Sequence, residues 1–312
     1  MPKKILVIKH GALGDFTLSI GTMKQLSELH PEDELYLLTM SPFVEISRQT
    51  GFFKDVLVDN RPSYNLKEWY RILKKILLDG HWDIIYDLQL SRRTKKKYLP
   101  FLRFMSRQDF SWIYPYEKRQ LDIHKTRAFS RGTTTETKWK KAPYIFPDLS
   151  FCQGNPECLA LLPPRFILMV PGCSAAHPYK RWPEKHFIEI AQKAGALGIE
   201  SVVLGTKAEA DIVNTICQGT PHAHSLLNKT KLADIPAIAR RALVVLGNDT
   251  GPQHMASFAQ TPAVSLFCRK TEKSAITYPG ITNLIADNIA DITPQEVWQV
   301  IEPILTKEPH EV

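Results

Sequence analysis

Short apolar runs alternate with helical patterns along both halves of the chain. The runs that predict buried strands cover residues 4–8, 35–39, 83–88, 166–170, 201–204, 242–246 and 263–267. Apolar positions recur at helical spacing in residues 17–29, 66–78, 208–217, 232–240 and 294–304, and a further helix is expected from about residue 183. This alternation predicts an α/β fold built on parallel sheets.

The pattern is interrupted over residues 132–164, which contain consecutive threonines, several lysines and five prolines. A chain of 312 residues with 44% hydrophobic residues is long enough to bury two cores of about 150 residues each. We therefore predict two domains, residues 1–162 with a linker from about residue 132, and residues 163–312.

The first predicted strand leads into a tight turn, H-G-A-L-G-D, at residues 10–15. Gly11 and Gly14 would let the backbone turn and approach a substrate closely, with Asp15 presented at the mouth of the sheet. The turn has neither the G-x-G-x-x-G pattern of dinucleotide-binding proteins nor a Walker phosphate loop. Capping of the helix predicted from Thr17 is an equally good explanation of Asp15.

The strand at 242–246 ends in G-N-D-T-G-P-Q-H, which brings together an acid, a hydroxyl, a helix start and a histidine. Asp249 or Thr250 is the predicted N-cap, and Pro252 is tolerated in the first helical turn. Backbone N–H groups at such a helix start suit a phosphate. An ordinary capped turn would explain the acid and the hydroxyl, but it would not explain His254 beside them.

A third loop, P-G-C-S-A-A-H-P-Y-K-R-W-P at residues 171–183, follows the strand at 166–170. Its adjacent cations at the carboxyl end of a strand suit an anionic ligand, and Lys180 is the stronger candidate. A solvated surface lysine is the alternative.

These three segments resemble glycosyltransferase family 9, the heptosyltransferase family that builds the inner core of lipopolysaccharide. The matching segments are residues 4–16, 171–187 and 247–267, and their order and spacing are preserved over nearly the whole chain. The resemblance implies a GT-B fold, with two Rossmann-like domains facing each other across a cleft. The N-terminal domain would bind the acceptor, and the C-terminal domain would bind the nucleotide-sugar.

The resemblance also implies an inverting glycosyltransferase that moves a heptose, or a related sugar, from an ADP-sugar to a lipid-linked core saccharide. Asp15 would be the general base, and Lys180 would neutralise the departing diphosphate. The implied donor-binding residues are Ser174, Lys180, Glu209, Asp249, Thr250, Gly251 and His254. Helix propensity alone would equally explain Glu209. No Asp-x-Asp pair lies near these segments, so we expect no metal and no cofactor besides the ADP-sugar as co-substrate.

Charge separates the two halves of the chain. Residues 1–150 contain 26 Lys and Arg against 17 Asp and Glu, whereas residues 151–312 contain 14 against 15. The densest cluster, which we predict to contact the acceptor, is Arg92, Arg93, Lys95, Lys96 and Lys97. Such a surface attracts an anionic leaflet or a phosphorylated saccharide within about 10 Å at moderate salt. A solvated helix face is the alternative. No nucleic-acid-binding pattern accompanies the charge, so no nucleic acid partner is expected.

The sequence disfavours a membrane-spanning protein, a secreted protein, a zinc site and a disulfide framework. No apolar stretch approaches the roughly 20 residues that cross a bilayer, and no signal peptide precedes the first strand. Five cysteines without a C-x-x-C pair indicate neither a zinc site nor a disulfide framework. We expect a cytoplasmic protein in peripheral contact with the cytoplasmic face of the inner membrane.

Three other functions compete with this interpretation. A nucleotide-sugar epimerase or dehydrogenase would normally carry G-x-G-x-x-G and Y-x-x-x-K, and the loops described above have no G-x-G-x-x-G. Ala175, Ala176 and His177 stand where several family members have hydroxyl residues, which leaves a different nucleotide-sugar open. A non-catalytic saccharide-binding homologue is the third, although Asp15 and the candidate donor residues together disfavour it.

Overall fold

The computed structural model describes residues 1–62, 65–107, 109–113, 146–174 and 176–307, and the backbone of residues 126–130 and 133–137. The chain forms two compact units, Met1–Pro147 and Asp148–Val312, called here the N-terminal and C-terminal units. The division falls inside the predicted linker but before the predicted domain edge at residue 163. Residues 138–145 of that linker lie outside the described part of the chain.

The earlier boundary has a physical cause, because residues 148–162 are attached to the C-terminal unit. The Arg240 guanidinium donates to the Leu149 carbonyl at 3.0 Å, and the Asn155 N–H donates to Asp234 Oδ1 at 2.8 Å. Leu149 is fully buried. This part of the predicted linker is therefore packed against the C-terminal unit.

The N-terminal unit contains a five-stranded parallel sheet in the order β3-β2-β1-β4-β5. Its strands are β1 (Lys4–Ile8), β2 (Glu34–Thr39), β3 (Asp55–Val58), β4 (Ile84–Asp87) and β5 (Ser111–Ile113). Its helices are α1 (Leu13–Leu29), α2 (Val44–Gln49), α3 (Leu66–Tyr70, continued by a π-helical segment Arg71–Leu78) and α4 (Leu99–Met105, preceded by a π-helical segment Thr94–Tyr98). Two further strands, β6 (Thr126–Ser130) and β7 (Thr133–Thr137), form an antiparallel pair, and β7 lies in the predicted linker.

The C-terminal unit contains a six-stranded parallel sheet in the order β10-β9-β8-β11-β12-β13. Its strands are β8 (Phe166–Val170), β9 (Glu200–Val203), β10 (Ala223–Ser225), β11 (Val244–Asn248), β12 (Ala263–Cys268) and β13 (Ile281–Ala286). Its helices are α5 (Pro156–Leu159), α6 (Glu184–Gly195), α7 (Ala210–Gly219), α8 (Asp234–Arg241), α9 (Gly251–Ser257) and α10 (Pro294–Leu305). Every residue of β8 and β11 is buried, which explains why β8 is apolar throughout and β11 is apolar up to Gly247 and Asn248.

Strand order reverses once in each sheet. The chain runs outward from β1 to β3 and then returns to place β4 on the other side of β1. It likewise runs from β8 to β10 and returns to place β11 beside β8. Open α/β sheets bind ligands at such reversal points, beyond the carboxyl ends of the strands. The loops after β1, β4, β8 and β11 are therefore where a site is expected.

The predicted strands and helices are confirmed to within two residues at their ends, with one exception. Helix α1 begins at Leu13 and not at Thr17, so Gly14 and Asp15 lie in the first helical turn. Gly11 does use the freedom of glycine, since its φ is 131° and a Cβ there would lie 2.9 Å from the Phe43 ring.

Among the helices that the structure describes, none is both long enough and apolar enough to span a bilayer.

Candidate active site

Asp15 lies on the first turn of α1, just beyond the carboxyl end of β1. Its side chain is exposed. The N-cap residue of α1 is Ala12, which makes no side-chain capping bond, and the side chain of Asp15 has no hydrogen-bonding partner in the described part of the chain. Helix capping therefore does not explain why an aspartate occupies position 15. The carboxylate is free to contact a substrate.

Lys9, which the sequence analysis did not select, lies beside this acid. It is 6% exposed, and its ammonium donates to the Leu88 carbonyl at 3.4 Å. Burial lowers the pKa of Lys9, while the negative charges of Asp15 and Asp87 act in the opposite direction. A buried cation at the end of β1 thus interacts with the candidate base. The signal was available, because Lys9 interrupts the apolar run directly before the turn.

Gln89 fixes the loop that precedes Asp15. Its Oε1 accepts the N–H groups of His10 at 2.8 Å and Gly11 at 3.2 Å, and its Nε2 donates to the Gly11 carbonyl at 3.0 Å. Gln89 follows β4, which is the neighbour of β1 at the reversal point of the sheet. This contact could not be predicted from the sequence, because its partners lie nearly 80 residues away.

A buried polar network occupies the same edge of the N-terminal sheet. His10 Nε2 lies 2.8 Å from Asp59 Oδ2, and both side chains are fully buried. The Tyr98 hydroxyl also donates to Asp59. Burial opposes ionisation of Asp59, but hydrogen bonds from His10 and Tyr98 outweigh it and hold the pKa of this carboxyl below its usual value. The network joins the ends of β1 and β3 to the helical segment after β4.

The five cations predicted to contact the acceptor are not equivalent in the structure. Arg93 is largely engaged inside the unit, because its guanidinium contacts Asp59 Oδ1 at 3.4 Å and stacks 4.0 Å from the Trp69 ring centre. The other four side chains are exposed on one helical segment: Arg92, Lys95, Lys96 and Lys97. Acceptor contact by these residues stays a prediction, and Arg93 is the weakest member of the set.

In the C-terminal unit, Lys180, Asp249 and His254 form one cluster. Lys180 Nζ lies 2.6 Å from Asp249 Oδ2, and His254 Nε2 lies 3.2 Å from Asp249 Oδ1. Lys180 follows β8 and the other two follow β11, and these strands are neighbours at the reversal point. The topology therefore brings together residues that are about 70 positions apart.

Asp249 is the buried centre of this cluster, with 4% of its side chain exposed against 18% for Lys180 and 12% for His254. Burial opposes its ionisation, but the hydrogen bonds and positive charges of His254 and Lys180 outweigh it and lower its pKa. The sequence analysis offered Asp249 or Thr250 as the N-cap of α9. Thr250 takes that position without a side-chain capping bond, and Asp249 pairs with cations instead.

Asn248 holds the two loops of the cluster together, and the sequence analysis missed it. Its Oδ1 accepts the Trp182 N–H at 3.1 Å, and its Nδ2 donates to the Pro171 carbonyl at 2.7 Å. The side chain is fully buried, and Trp182 is fully buried with its indole N–H bonded to the Ile292 carbonyl at 2.7 Å. The loop that carries Lys180 is therefore anchored to the end of β11 at both of its ends.

Replacing Asn248 with Ala is expected to lower the free energy of unfolding by roughly 2–4 kcal/mol, because it leaves one buried N–H and one buried carbonyl without partners. Chemical denaturation of the full-length protein measures this loss. The matched control is Asn214→Ala at an exposed position of α7, which is expected to change the free energy by less than about 0.5 kcal/mol. Equal effects of the two substitutions would contradict the anchoring role of Asn248.

The structure supports a donor-binding role for the remaining predicted residues to different degrees. Glu209 Oε2 accepts the Thr206 N–H at 2.8 Å, so Glu209 is part of a capping box, a local structural role different from the helix propensity offered as its alternative explanation. It also lies against the loop after β8, since a Cβ on Gly172 would meet Glu209 Cγ at 2.8 Å. Ser174 is exposed, and the Thr250 hydroxyl is buried without a partner among the described residues.

No group of three or more His, Cys, Asp or Glu side chains is placed to hold a metal ion in the described ranges. The cluster contains fixed positive charge from Lys180 beside a histidine. Such a cluster at the carboxyl edge of a parallel sheet is suited to a phosphorylated ligand.

The chain is similar in sequence and in fold to known heptosyltransferases. The lipopolysaccharide core heptosyltransferase OpsX of Haemophilus influenzae is 22% identical over 315 residues, which cover 91% of this chain and 84% of the relative. The glycosyltransferase family 9 structure from Veillonella parvula superposes with a TM-score of 0.75 at 16% identity, covering 97% of each chain. The E. coli heptosyltransferase WaaC with ADP-2-deoxy-2-fluoro heptose superposes with a TM-score of 0.70 at 15% identity, covering 96% of this chain and 99% of that one.

The likeness to these structures confirms the predicted GT-B class as two units that each contain a parallel α/β sheet. The profile described as glycosyltransferase family 9 (heptosyltransferase) matches residues 111–292, more than half of the chain. That segment includes Lys180, Glu209, Asp249 and His254, whereas Asp15 lies before it. The match shows that this chain belongs to glycosyltransferase family 9.

Proposed function

We propose that this protein is an inverting glycosyltransferase that moves a heptose, or a closely related sugar, from an ADP-sugar to a lipid-linked lipopolysaccharide core saccharide. Family membership supports sugar transfer, and the relatives named above support the heptose and the core acceptor. The observation that carries the proposal is the cluster of Lys180, Asp249 and His254 at the reversal point of the C-terminal sheet.

In the proposed reaction, an acceptor hydroxyl attacks the anomeric carbon on the face opposite the diphosphate. The bond between the anomeric carbon and the diphosphate oxygen breaks, and ADP departs with the bonding electrons. Asp15 accepts the hydroxyl proton, which its exposed and unbonded carboxylate is free to do. Inversion at the anomeric carbon follows from a single displacement.

Lys180 neutralises the charge that develops on the departing diphosphate, and the N–H groups at Thr250 and Gly251 add donors. Asp249 orients Lys180 and His254 through its two carboxylate oxygens, which are 2.6 Å from Lys180 Nζ and 3.2 Å from His254 Nε2. Glu209 accepts hydrogen bonds from the ribose with the carboxylate oxygen that the capping box leaves free. The protein needs no cofactor in this scheme, because the ADP-sugar is itself a co-substrate.

The acceptor is anionic and lipid-linked, so the protein works in peripheral contact with the cytoplasmic face of the inner membrane. The exposed cations of the N-terminal unit support this part of the proposal: Arg92, Lys95, Lys96 and Lys97. They attract phosphate groups through a field that salt screens.

A transfer assay tests the proposal. ADP-heptose and a heptose-free core saccharide are expected to give one added heptose by mass spectrometry, and NMR of the product is expected to show the inverted anomer. Stabilisation against heat by ADP, compared with UDP and GDP, identifies the nucleotide. Stronger stabilisation by UDP or GDP would show that the donor carries a different nucleotide. Nucleotide binding without any sugar transfer would favour the non-catalytic alternative.

The reaction is expected to keep full activity in excess EDTA, because Lys180 and backbone N–H groups supply the charge stabilisation that a divalent cation provides in other transferases. The measurement is the initial rate after EDTA treatment, compared with the rate after adding back Mg²⁺ or Mn²⁺. A rate that falls to background with EDTA and returns with either metal would contradict this mechanism.

A further inference from the structure

Two neighbouring helical segments of the N-terminal unit cover one face of its sheet. Their inner sides share a hydrophobic core with β1, through Ile72 and Ile76 of the segment 66–78 and Leu102 of the segment 92–105. Each segment begins after a strand of the parallel sheet, so the amino-terminal ends of both lie toward the sheet edge that carries Asp15. Their outer sides adjoin where Lys97 of one segment lies over the Trp69 ring of the other.

This surface exposes large apolar side chains. Leu66 is 83% exposed, Tyr70 59% and Phe104 85%. Leu66, Trp69 and Tyr70 are spaced three and four residues apart, so they lie on one helical face. Among the described residues, nine large hydrophobic side chains are exposed, and four of them belong to these two segments. Exposed apolar groups concentrated in this way mark an interaction site.

The same surface is strongly basic. Residues 92–105 contain six Lys and Arg and no Asp or Glu, and the acid of residues 66–78, Glu68, is bonded to Arg71. Lys97 Nζ lies 4.7 Å above the centre of the Trp69 ring, so a cation and an aromatic ring adjoin directly. Phe104 is spaced four and eight residues from Pro100 and Lys96, which are also exposed.

We propose that this basic aromatic surface binds the surface of an anionic phospholipid bilayer. It is formed by the exposed residues Leu66, Tyr70, Lys96, Lys97 and Phe104, and the half-buried Trp69 packs beneath Lys97. The apolar side chains of Leu66 and Phe104 enter the headgroup region, the Tyr70 ring lies at its polar boundary, and the ammonium groups pair with lipid phosphates. The cations alone would suit a saccharide phosphate, but Leu66 and Phe104 have no hydrogen-bonding groups to offer one. The inference deepens the proposed function, since it rests on the lipid-linked acceptor proposed there.

The position of the surface supports a bilayer as the occupant. Leu66, Trp69 and Tyr70 lie toward the same sheet edge as the loop of Asp15, so a membrane at this surface would present a lipid-anchored acceptor on the side of the candidate base. The exposed cations Arg92, Lys96 and Lys97 repel a second copy of the same surface, which argues against self-association there.

Co-sedimentation of the full-length protein with vesicles tests the inference. Wild-type protein is expected to bind vesicles of phosphatidylethanolamine and phosphatidylglycerol and to dissociate from them at high salt. It is not expected to bind vesicles of phosphatidylcholine. The double variant Leu66→Ser/Phe104→Ser is expected to bind anionic vesicles roughly tenfold more weakly. Lys96→Gln/Lys97→Gln is expected to lose about tenfold or more, since each surface cation contributes roughly fivefold.

The matched controls are Leu161→Ser/Leu197→Ser and Lys185→Gln/Lys207→Gln, which change exposed residues of the C-terminal unit and are expected to bind like wild type. The apolar double variant is also expected to use a lipid-free core saccharide at the wild-type rate. Vesicle binding that neither variant reduces would overturn the inference. Equal losses with the lipid-free acceptor would overturn it in favour of a saccharide site. Absence of heptose transfer with vesicle binding intact would overturn only the proposed function.

Discussion

Replacing Asp15 with Asn is expected to lower turnover by roughly 10²–10⁴-fold while leaving folding and ADP binding near wild type. Asn keeps the size of the side chain but cannot accept the acceptor's proton. The native carboxylate is exposed and makes no hydrogen bond in the described part of the chain, so the fold does not depend on it. The loss should therefore appear in kcat, with little change in the binding of the donor.

The measurement is a comparison of kcat and of ADP affinity by calorimetry in wild type and variant. The matched control is Glu28→Gln, the same acid-to-amide change at another exposed position of α1, which is expected to leave both quantities unchanged. Wild-type turnover in Asp15→Asn would remove this residue from the role of base. Asp59 or another acid at the same sheet edge would then have to be considered.

Much of the fold could be predicted from the sequence because the hydrophobic pattern and the topology agree. Runs such as residues 166–170 are apolar throughout, since helices cover both faces of a parallel sheet, and they became β8 and β11 with small shifts. Glycines, prolines and polar residues mark where these strands stop. The three candidate loops therefore fell at the carboxyl edges of the two sheets, as predicted.

The exact contacts at these edges could not be predicted, because they join residues far apart in the chain. A helix start after Asp249 suggests capping by local rules, and only the position of β8 beside β11 brings Lys180 to this acid. Arg93 looked equal to its basic neighbours, yet Asp59 and Trp69 engage it inside the unit. A sequence pattern reports burial and periodicity, but it does not report which distant side chains meet.

Replacing Lys180 with Ala is expected to weaken ADP binding roughly 10- to 100-fold and to lower kcat as well. A charged hydrogen bond to phosphate contributes about 1.5–3 kcal/mol, and every 1.4 kcal/mol changes affinity about tenfold. The rate falls too, because negative charge on the diphosphate grows as it departs. Calorimetry with ADP and with adenosine measures the affinities, and adenosine, which lacks phosphate, is expected to bind both proteins equally.

The ion pair with Asp249 raises a second explanation for any loss of affinity. Removing Lys180 leaves a carboxylate that is 4% exposed with His254 as its remaining side-chain partner, and its negative charge would then repel the diphosphate. In this second explanation, Lys180 makes no contact with ADP and favours its binding by neutralising the charge of Asp249. The two explanations differ in what happens when Asp249 is already neutral.

A double-mutant cycle with Asp249→Asn separates them. If Lys180 contacts the phosphates, Lys180→Ala is expected to weaken ADP binding by about tenfold or more even when residue 249 is Asn. If it only neutralises Asp249, the same substitution is expected to cost less than about twofold in that background. Lys185→Ala, at an exposed lysine of α6, is the control for general charge and is expected to change neither value. If Lys180→Ala still weakens ADP binding about tenfold when residue 249 is Asn, Lys180 contacts the diphosphate.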